Sequence, residues 1–447
     1  MEGQIAPEIG SLVLMKPGPL HGLTVLRFAH AFESGGGTER YLDDLDDTLL
    51  KRNAMTVIRL HLTRHPTLIG PKEESIGQGL LVRVPLPVVP GNEAHSQSNK
   101  GRLRTWAKQK ARDWVLYNPW IWRATGAEWT KSLRLSVQSG QAIGAGLATA
   151  EVLRNRRVDL VMLHFFGGAD ADEVVTAARK AGVPLVVLNH YSNDRFLHLA
   201  IRKHVMVADG VAGVNGLDVP GYIRDRFTNL SDGIDTDFFR RSNARPLANA
   251  PAQPIVLLPA RVVREKGQID LVKAAASLRR SGIECCLAFA GRDDTSGYGN
   301  ELRHEIERAG MTGCVRFLGM LNLEELRDWY GASAVVALPT YHHEGLPRVI
   351  LEAQAMSAPV VAYATGGVGD GIVSGKTGYL LTTGDVLGLA NHLRELLSSA
   401  SLRATMGECG REAAENRFSL SALADRHERY YSQVLSARTA GKAVSNA

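Results

Sequence analysis

Short apolar runs alternate with segments of helical periodicity along the chain. Residues 38–53, TERYLDDLDDTLLKRN, have the apolar spacing of a helix, and ADEVVTAARKAG has it between two later runs. The runs that predict β-strands are 23–29, 55–62, 158–165, 183–190, 254–261, 284–292, 314–319, 334–339 and 358–364. Repeated strand–helix units are typical of parallel sheets with helices on both faces.

One segment divides this alternation into two sets. Residues 240–254, RRSNARPLANAPAQP, are polar and rich in Pro, Ala and Asn, as linkers are. We predict an N-terminal domain over 1–240, a linker over 241–253 and a C-terminal domain over 254–418. The predicted fold class is α/β, with two doubly wound, Rossmann-like domains and a cleft between them. Ligands of such sheets bind beyond the carboxyl ends of the strands.

The composition fits a soluble globular protein, with 45% hydrophobic and 22% charged residues among 447. The four cysteines match neither a disulfide scaffold nor a Cys-x-x-Cys metal site, which favours reduced thiols in the cytoplasm. We see no signal peptide and no apolar run long enough to span a membrane.

Basic charge is concentrated in one segment. Residues 100–134 hold nine Lys or Arg, two acids and five of the six tryptophans. The net charge of the whole chain is only +6. This segment is the strongest local bias in the sequence.

Two glutamates bracket a short apolar run in YHHEGLPRVILEAQA, residues 341–355. Glu344 lies on the loop after a predicted strand, and Pro347 suits the first turn of the helix that follows. The N–H groups from about Gly345 onward would form an anion site, and Glu352 lies about two turns along the helix. An anion between two hydroxyl-rich groups describes a sugar nucleotide. The alternative is an ordinary helix with one capping and one solvent-facing acid.

Two further loops carry phosphate-binding features. Arg261 directly follows a predicted strand, and Lys266 lies just before a glycine that opens a helix, which is a suitable clamp for a diphosphate. In GGGTER, residues 35–40, the three glycines let the backbone approach a phosphate closely. This run is not the GxGxxG of a dinucleotide fold, although a simple glycine turn would look similar.

Together these residues resemble the retaining glycosyltransferases of family 4, which have the GT-B fold. The resemblance covers nearly the whole chain. Its motifs are GGGTER (35–40), NLSDGIDTDFF (229–239), PARVVREKG (259–267), HEGLPRVILEAQA (343–355), GKTGYLL (375–381) and RFSLSALADRHERYYSQV (417–434). In the family the final helix returns to the N-terminal domain, which implies the same for residues 419–447.

The resemblance implies a catalytic set. Arg261 and Lys266 would neutralise the departing diphosphate, and Glu344 would bind hydroxyls of the transferred sugar. His190 matches the family's active-site histidine, although a buried structural histidine is the alternative. His164, at the end of another strand, is a weaker candidate that we interpret as structural.

The resemblance also implies donor contacts. Gly36 and Gly37 would contact the diphosphate, together with Gly345 and Leu346 at the helix start. Glu352 would bind the ribose hydroxyls. No metal or other cofactor is expected, because the cations and the helix terminus supply the positive charge. Adjacent His342 and His343 point apart and lack a third ligand.

The sequence departs from the family at three places. Asp232 replaces the usual Asn before Gly-Ile-Asp. The usual Gly-Gly-x-Pro-Glu is GGVGDG here, so Gly369 and Asp370 stand for the Pro and Glu. The third is the acceptor region, about 64–150, where no match to the family is recognised.

The implied function is transfer of a sugar from a UDP- or GDP-sugar to an acceptor hydroxyl, with retention at the anomeric carbon. The alternatives are a sugar-nucleotide epimerase or hydrolase of the same fold, and a non-catalytic sugar-nucleotide-binding protein. The acceptor is expected to be a glycan or a lipid-linked molecule, as in polysaccharide biosynthesis.

The basic, Trp-rich segment suggests where the acceptor is met. Lys108, Lys110, Arg112 and Trp114 combine cations with an interfacial aromatic residue, which suits an anionic membrane surface. We therefore predict peripheral association with the cytoplasmic face of a membrane. A solvated basic helix with core tryptophans, or a site for an acidic partner, would also fit. No nucleic-acid-reading motif accompanies the segment, so nucleic acid is not an expected partner.

Overall fold

The structure is a computed structural model that describes residues 20–29, 37–63, 72–87, 143–164, 169–293 and 297–445. Gly36 and the basic, Trp-rich segment 100–134 lie outside the described residues. The predictions made for Gly36, Lys108, Lys110, Arg112 and Trp114 therefore stay predictions.

The first sheet has eight strands in the order β3-β4-β2-β1-β5-β6-β7-β8. They are β1 Thr24–Ala29, β2 Thr56–Thr63, β3 Lys72–Ile76, β4 Gly79–Pro87, β5 Leu160–Leu163, β6 Leu185–Asn189, β7 Gly210–Gly213 and β8 Phe227–Asn229. All neighbours are parallel except the β3–β4 hairpin at the edge. Strand β1 is central, with Val25 opposite both Val57 and Leu160.

Helices cover this first sheet. They are α1 Gly37–Arg52, α2 Ile143–Asn155, α3 Ala169–Lys180 and α4 Leu199–Val207. Helix α1 buries Leu42, Leu45 and Leu49, which recur every three or four residues and so lie on one face. Burying that stripe against the sheet is the main source of stability for such a helix.

The second sheet has six strands, all parallel, in the order β11-β10-β9-β12-β13-β14. They are β9 Ile255–Pro259, β10 Cys286–Ala290, β11 Val315–Gly319, β12 Ser333–Leu338, β13 Val360–Tyr363 and β14 Gly378–Leu381. Strands β9 and β10 are buried at every position, as continuous apolar strands covered on both faces are.

The helices of the second half are α5 Gln268–Arg280, α6 Tyr298–Arg308, α7 Leu323–Ala332, α8 Arg348–Ala355, α9 Val368–Gly371, α10 Val386–Ser398 and α11 Ala400–Arg417. The last helix is α12 Leu420–Ser445. It lies against α1 of the first half, where Arg52 donates to Asp425 at 2.7 Å and Asn53 to Glu428 at 2.8 Å.

The chain crosses from one half to the other twice, and the two crossings lie side by side. Ile234 follows the first sheet, and its N–H donates to the carbonyl of Phe418 at 2.8 Å. One apolar core cluster includes Leu188 and Val214 from the first half and Ile350 from the second. The two halves therefore share a packed interface.

The predicted fold class is confirmed, because both halves of the chain are α/β and doubly wound, with a cleft between them. Helix α1 lies within one residue of its predicted bounds, whereas β5 and β6 are shorter than predicted. The hairpin of β3 and β4 and the short strands β7, β8 and β14 were not predicted from the sequence pattern.

Candidate functional site

A cleft of about 580 Å³ opens between the carboxyl ends of the two sheets. Both halves of the chain line it. The lining residues include Gly37, Thr38, Arg40, His164, His190, Tyr191 and Asp232 from the first half, and Arg261, Lys266, His342, Glu344, Gly345, Leu346, Pro347 and Arg348 from the second. Most of the residues singled out from the sequence are therefore close together in space.

The loop after β9 places two cations at the cleft. Arg261 is exposed, and its side chain has no ion-pair partner in the described part of the chain. The amide of Gln268 donates to the Arg261 carbonyl at 2.8 Å and fixes the loop. Gly267, between Lys266 and α5, has φ of 70°, and a Cβ there would overlap the carbonyl oxygen of Pro339. Only glycine fits both the left-handed backbone and this close approach.

Lys266 and Glu344 form an ion pair inside the cleft. Their side chains are 15% and 17% exposed, so both are partly shielded from water. The hydroxyl of Thr340 also lies 3.4 Å from the Glu344 carboxylate. The pair brings the predicted sugar-binding carboxylate and the predicted phosphate-binding cation to one point.

The loop between β12 and α8 forms one wall of the cleft. Pro347 caps α8, and the N–H groups of Gly345 and Leu346 have no acceptor among the residues that the structure describes. A Cβ at Gly345 would overlap the carbonyl oxygen of His190 in the other half. Asn215 also donates to the Gly345 carbonyl at 3.1 Å. The loop is thus held with its free N–H groups and the positive end of α8 at the cleft.

Glu352 does not line the cleft. Its carboxylate is buried, accepts from Arg40 of α1, and accepts from the hydroxyl of Tyr330 at 2.9 Å. Arg40 itself lines the cleft. A ligand would have to displace Arg40 to reach Glu352, so the ribose contact of Glu352 stays a prediction.

Arg348 joins the two halves behind the helix start. Its guanidinium donates to Asp232 at 3.0 Å, to the carbonyl of Gly233 at 2.9 Å and to Asp44 of α1. Burial raises the pKa of Asp232 to about 6, although the Arg348 charge opposes the rise. Asp232, which stands where family 4 usually has Asn, is therefore the counter-ion of Arg348. Arg348 was not among the candidate residues predicted from the sequence.

His190 lies at the end of β6, beside the cleft. Its Nε2 is 3.0 Å from Nδ1 of His164, and the ring of Tyr41 packs edge-on at 4.7 Å. Burial and the nearby Arg27 charge lower the pKa of His190 to about 3. His190 is therefore neutral at physiological pH, and His164, which we interpreted as structural, is its direct partner.

The remaining predicted residues have mixed outcomes. Gly37 is the first residue of α1 and lines the cleft. His342 lines the cleft, whereas His343 faces Asp194 at 3.8 Å. Within the described ranges, no group of three or more His, Cys, Asp or Glu side chains could hold a metal ion.

Asp370, the second departure from the family pattern, connects the two halves. Its carboxylate accepts from the N–H of Gly216 at 2.8 Å and from the amide of Asn229 at 2.8 Å. The loop that carries Asp370 is thus attached to the first half of the chain.

Each half of the chain has a mainly parallel sheet with helices, and the two halves face each other across a cleft. This arrangement defines the GT-B architecture. Sucrose-phosphate synthase from Thermosynechococcus elongatus has the same arrangement, with a TM-score of 0.65 and 20% identity over 93% of this chain and 100% of that one. HepE of Anabaena, solved with UDP and glucose, gives a TM-score of 0.63 and 18% identity over 92% of this chain and 100% of that one. At these identities the likeness establishes the fold.

Sequence comparison adds relatives for part of the chain. Residues 239–413 match the family described as Glycosyl transferases group 1. A D-inositol 3-phosphate glycosyltransferase of Corynebacterium jeikeium is 34% identical over 220 residues, 48% of this chain and 51% of that protein. A GDP-mannose-dependent alpha-(1-6)-phosphatidylinositol monomannoside mannosyltransferase of Mycobacterium tuberculosis is 29% identical over 278 residues, 57% of this chain and 71% of that protein. The match thus spans about half the length of the Corynebacterium relative.

Among the residues that the structure describes, no helix is both long enough and apolar enough to cross a membrane.

Proposed function

We propose that this protein is a glycosyltransferase that uses a nucleoside diphosphate sugar and retains the configuration of the anomeric carbon, as in family 4. One observation carries the proposal: Arg261, Lys266, Glu344 and the start of α8 converge on one cleft between two Rossmann-like halves. Cations beside a carboxylate suit a ligand that is anionic at one end and rich in hydroxyls at the other.

The cleft supplies what departure of a diphosphate needs. Negative charge develops on the phosphate oxygens as the bond to the sugar lengthens. Arg261, Lys266 and the free N–H groups of Gly345 and Leu346 lie at the cleft before any ligand binds, so they would stabilise that charge with little reorganisation. We therefore propose that no metal ion is required for the reaction.

Glu344 is suited to hold the sugar. Its carboxylate can accept hydrogen bonds from sugar hydroxyls while Lys266 stays close to the phosphate. The acceptor hydroxyl would approach the face that the diphosphate leaves, and the departing phosphate would take its proton. Glu344 is a binding group in this scheme and not the nucleophile.

The donor is proposed to be a UDP- or GDP-sugar. HepE binds UDP and glucose, and the mycobacterial relative is GDP-mannose-dependent, so both bases occur among similar proteins. Incubation with a panel of these donors should release the nucleoside diphosphate from one of them, even without acceptor, at a slow rate. Release should be unchanged by a metal chelator. No release from any donor, with or without acceptor, would favour a non-catalytic binding protein.

The stereochemical proposal has its own test. Proton NMR of the first sugar product distinguishes an α from a β anomeric linkage directly. A product with the configuration of the donor supports retention. An inverted product would place the chain outside the proposed mechanism, and an epimerised free sugar would favour the epimerase alternative.

The acceptor is proposed to be a glycan or lipid-linked molecule at the cytoplasmic face of a membrane. Two relatives act on inositol-containing acceptors by name, and the basic, Trp-rich segment 100–134 has the composition of a membrane-binding sequence. Binding to vesicles with anionic lipid should weaken with salt and with charge reversal at Lys108, Lys110 and Arg112. Absence of binding at low salt would favour a soluble acceptor.

A further inference from the structure

Three polar side chains contact one another in a row that leads from the cleft into the first sheet. Arg27 of β1 is fully buried, and its Nη1 lies 3.0 Å from Nε2 of His164. Nδ1 of His164 lies 3.0 Å from Nε2 of His190, which borders the cleft. The three residues follow one another across adjacent strands or strand ends, since β1 pairs with β5 and β5 with β6.

The charge of Arg27 is secured from several sides. Asp46 of α1 lies 2.8 Å from its Nε and also accepts from Arg59 at 2.6 Å. The other terminal nitrogen, Nη2, donates to the hydroxyl of Tyr431 on α12 at 2.8 Å. A guanidinium stays protonated in proteins and has no acceptor atom, so Arg27 can only donate to His164.

Because Arg27 can only donate, the positions of the protons on both histidines are fixed. Nε2 of His164 accepts from Arg27, so the proton of the neutral His164 ring is on Nδ1. That proton is donated to Nε2 of His190. His190 must then carry its own proton on Nδ1, which has no partner among the described residues.

We propose that Arg27 and His164 are positioning residues that set the tautomer of His190, so that His190 meets the ligand as a hydrogen-bond donor through Nδ1 and not as a proton acceptor. This role rests on the proposed function for the ligand, which would be an oxygen of the transferred sugar. The tautomer itself is a property of the free protein.

The surroundings of the two histidines keep both rings neutral. Burial and then Arg27 lower the pKa of His164 well below its usual range and that of His190 to about 3. The titratable and charged groups around the pair are Arg27 on β1, Arg59 on β2, Tyr41 and Asp46 on α1, and His427 and Tyr431 on α12. Asp46 is paired with both arginines and offsets part of their charge, so burial remains the larger cause of the lowered pKa of both histidines.

Nitrogen-15 NMR of histidine-labelled protein tests the tautomers without any substrate. Long-range proton–nitrogen correlations identify which ring nitrogen is protonated, and His→Gln variants assign the signals. We expect the protonated Nδ1 form for both His164 and His190, unchanged from about pH 5.5 to about pH 8.5. A proton on Nε2 of His190, or titration of its ring in this range, would overturn the proposal whatever the enzyme's activity.

Variants of Arg27 separate this role from simple packing. Arg27→Met removes the donor that fixes the tautomer of His164, so the NMR spectrum should show His190 partly protonated on Nε2, and turnover should fall. The pKa of the histidine pair should rise but stay below the ordinary value, because burial is the larger cause of the shift. Arg27→Lys keeps a donor and a charge, and should restore the wild-type tautomer and turnover. If Arg27→Met is folded and its tautomers and turnover match those of the wild type, the proposal fails. If it does not fold, the NMR of the wild type decides alone.

Two variants of His190 test the direction of the hydrogen bond. Asn has an N–H near the position of Nδ1, whereas the nearly isosteric Asp can only accept there. We expect His190→Asn to turn over at least about tenfold faster than His190→Asp, equivalent to about 1.4 kcal/mol. Binding of the free nucleoside diphosphate should be equal in both. Faster turnover by His190→Asp would show an acceptor role and contradict the proposal. Loss of turnover in wild type and variants alike, with the NMR result intact, would instead reject the proposed function.

Discussion

At the scale of single residues, the two cations on the loop after β9 are in different electrostatic states. Lys266 already has a counter-ion in Glu344, whereas Arg261 is exposed and has none in the described part of the chain. An arriving diphosphate therefore meets one uncompensated charge and one paired charge. The carboxylate and the anion compete for Lys266, so the position of Glu344 influences both ends of the donor.

The two glutamates of the motif should differ in function. Glu344→Gln should lower turnover strongly, because Glu344 would contact the sugar that gains charge during transfer. Glu352→Gln should chiefly weaken nucleotide binding, if the ribose displaces Arg40. Calorimetric titration with the free nucleoside diphosphate, beside steady-state kinetics, measures both effects. Equal loss of nucleotide affinity in the two variants would contradict this division.

Asp232 gives a prediction about pH. Its pKa in the folded protein is about 6, above the unfolded value of about 3.9. The folded state therefore holds this proton more tightly, and the stabilisation is present at low pH and lost as the pH rises through about 6. Relative to Asp232→Asn, the wild type should lose stability between about pH 4 and about pH 6 and change little above. Urea unfolding midpoints of both proteins measure this. The opposite slope would mean that Arg348 holds the pKa of Asp232 down.

At the scale of elements, the two loops after β9 and β12 could be anticipated, because each is a local strand–loop–helix unit. Arg261, Lys266, Glu344 and Gly345 lie at or just beyond the ends of predicted strands, and parallel strands bring such loops to one edge. Most of the missed elements were short or lay at an edge, and the exception is β4, which has nine residues and pairs with β3 and β2. Strand β7, for example, is only Gly210–Gly213, whose composition gives little strand signal.

Gly267 tests how tightly the first of these loops is packed. Gly267→Ala should cost about 1–2 kcal/mol for the left-handed backbone and more for the overlap with Pro339. It should also displace Lys266 and weaken donor binding. Gly282→Ala is the matched control, because φ there is 80° and a Cβ would have no neighbour within 4 Å. Thermal unfolding and nucleotide titration of both variants give the comparison. Equal behaviour would show that the close approach is unimportant.

At the scale of the whole molecule, side chains of distant segments hold the halves together. Arg40 and Glu352 are 312 residues apart in sequence, and Asp44 and Arg348 are 304 apart. Such pairs depend on how the two sheets dock, and no local sequence pattern predicts them. This is why Arg40 and Arg348 were not recognised from the sequence. The contact of His164 with Arg27 lies within the first sheet and depends on the pairing of β1 with β5, which are also distant in sequence.

Asp370 offers a test of the docking between the halves. Asp370→Ala removes the acceptor for the N–H of Gly216. Hydrogen exchange of that amide should accelerate, by up to about tenfold for a bond of about 1 kcal/mol. Asp225→Ala changes an exposed residue in the same half of the chain as Gly216, and it should leave the exchange of the Gly216 amide unaffected. An unchanged rate in Asp370→Ala would mean that the contact contributes nothing in solution.

The central claim is that the cleft neutralises a departing diphosphate, and single-turnover kinetics with the identified donor tests it most directly. Arg261→Ala and Lys266→Ala should each slow the chemical step by about 10²–10³-fold, or about 2–4 kcal/mol. Arg264→Ala is the control, because Arg264 lies on the same loop but is paired with Glu301 away from the cleft, and it should react at the wild-type rate. Normal single-turnover rates in both cleft variants would contradict the account.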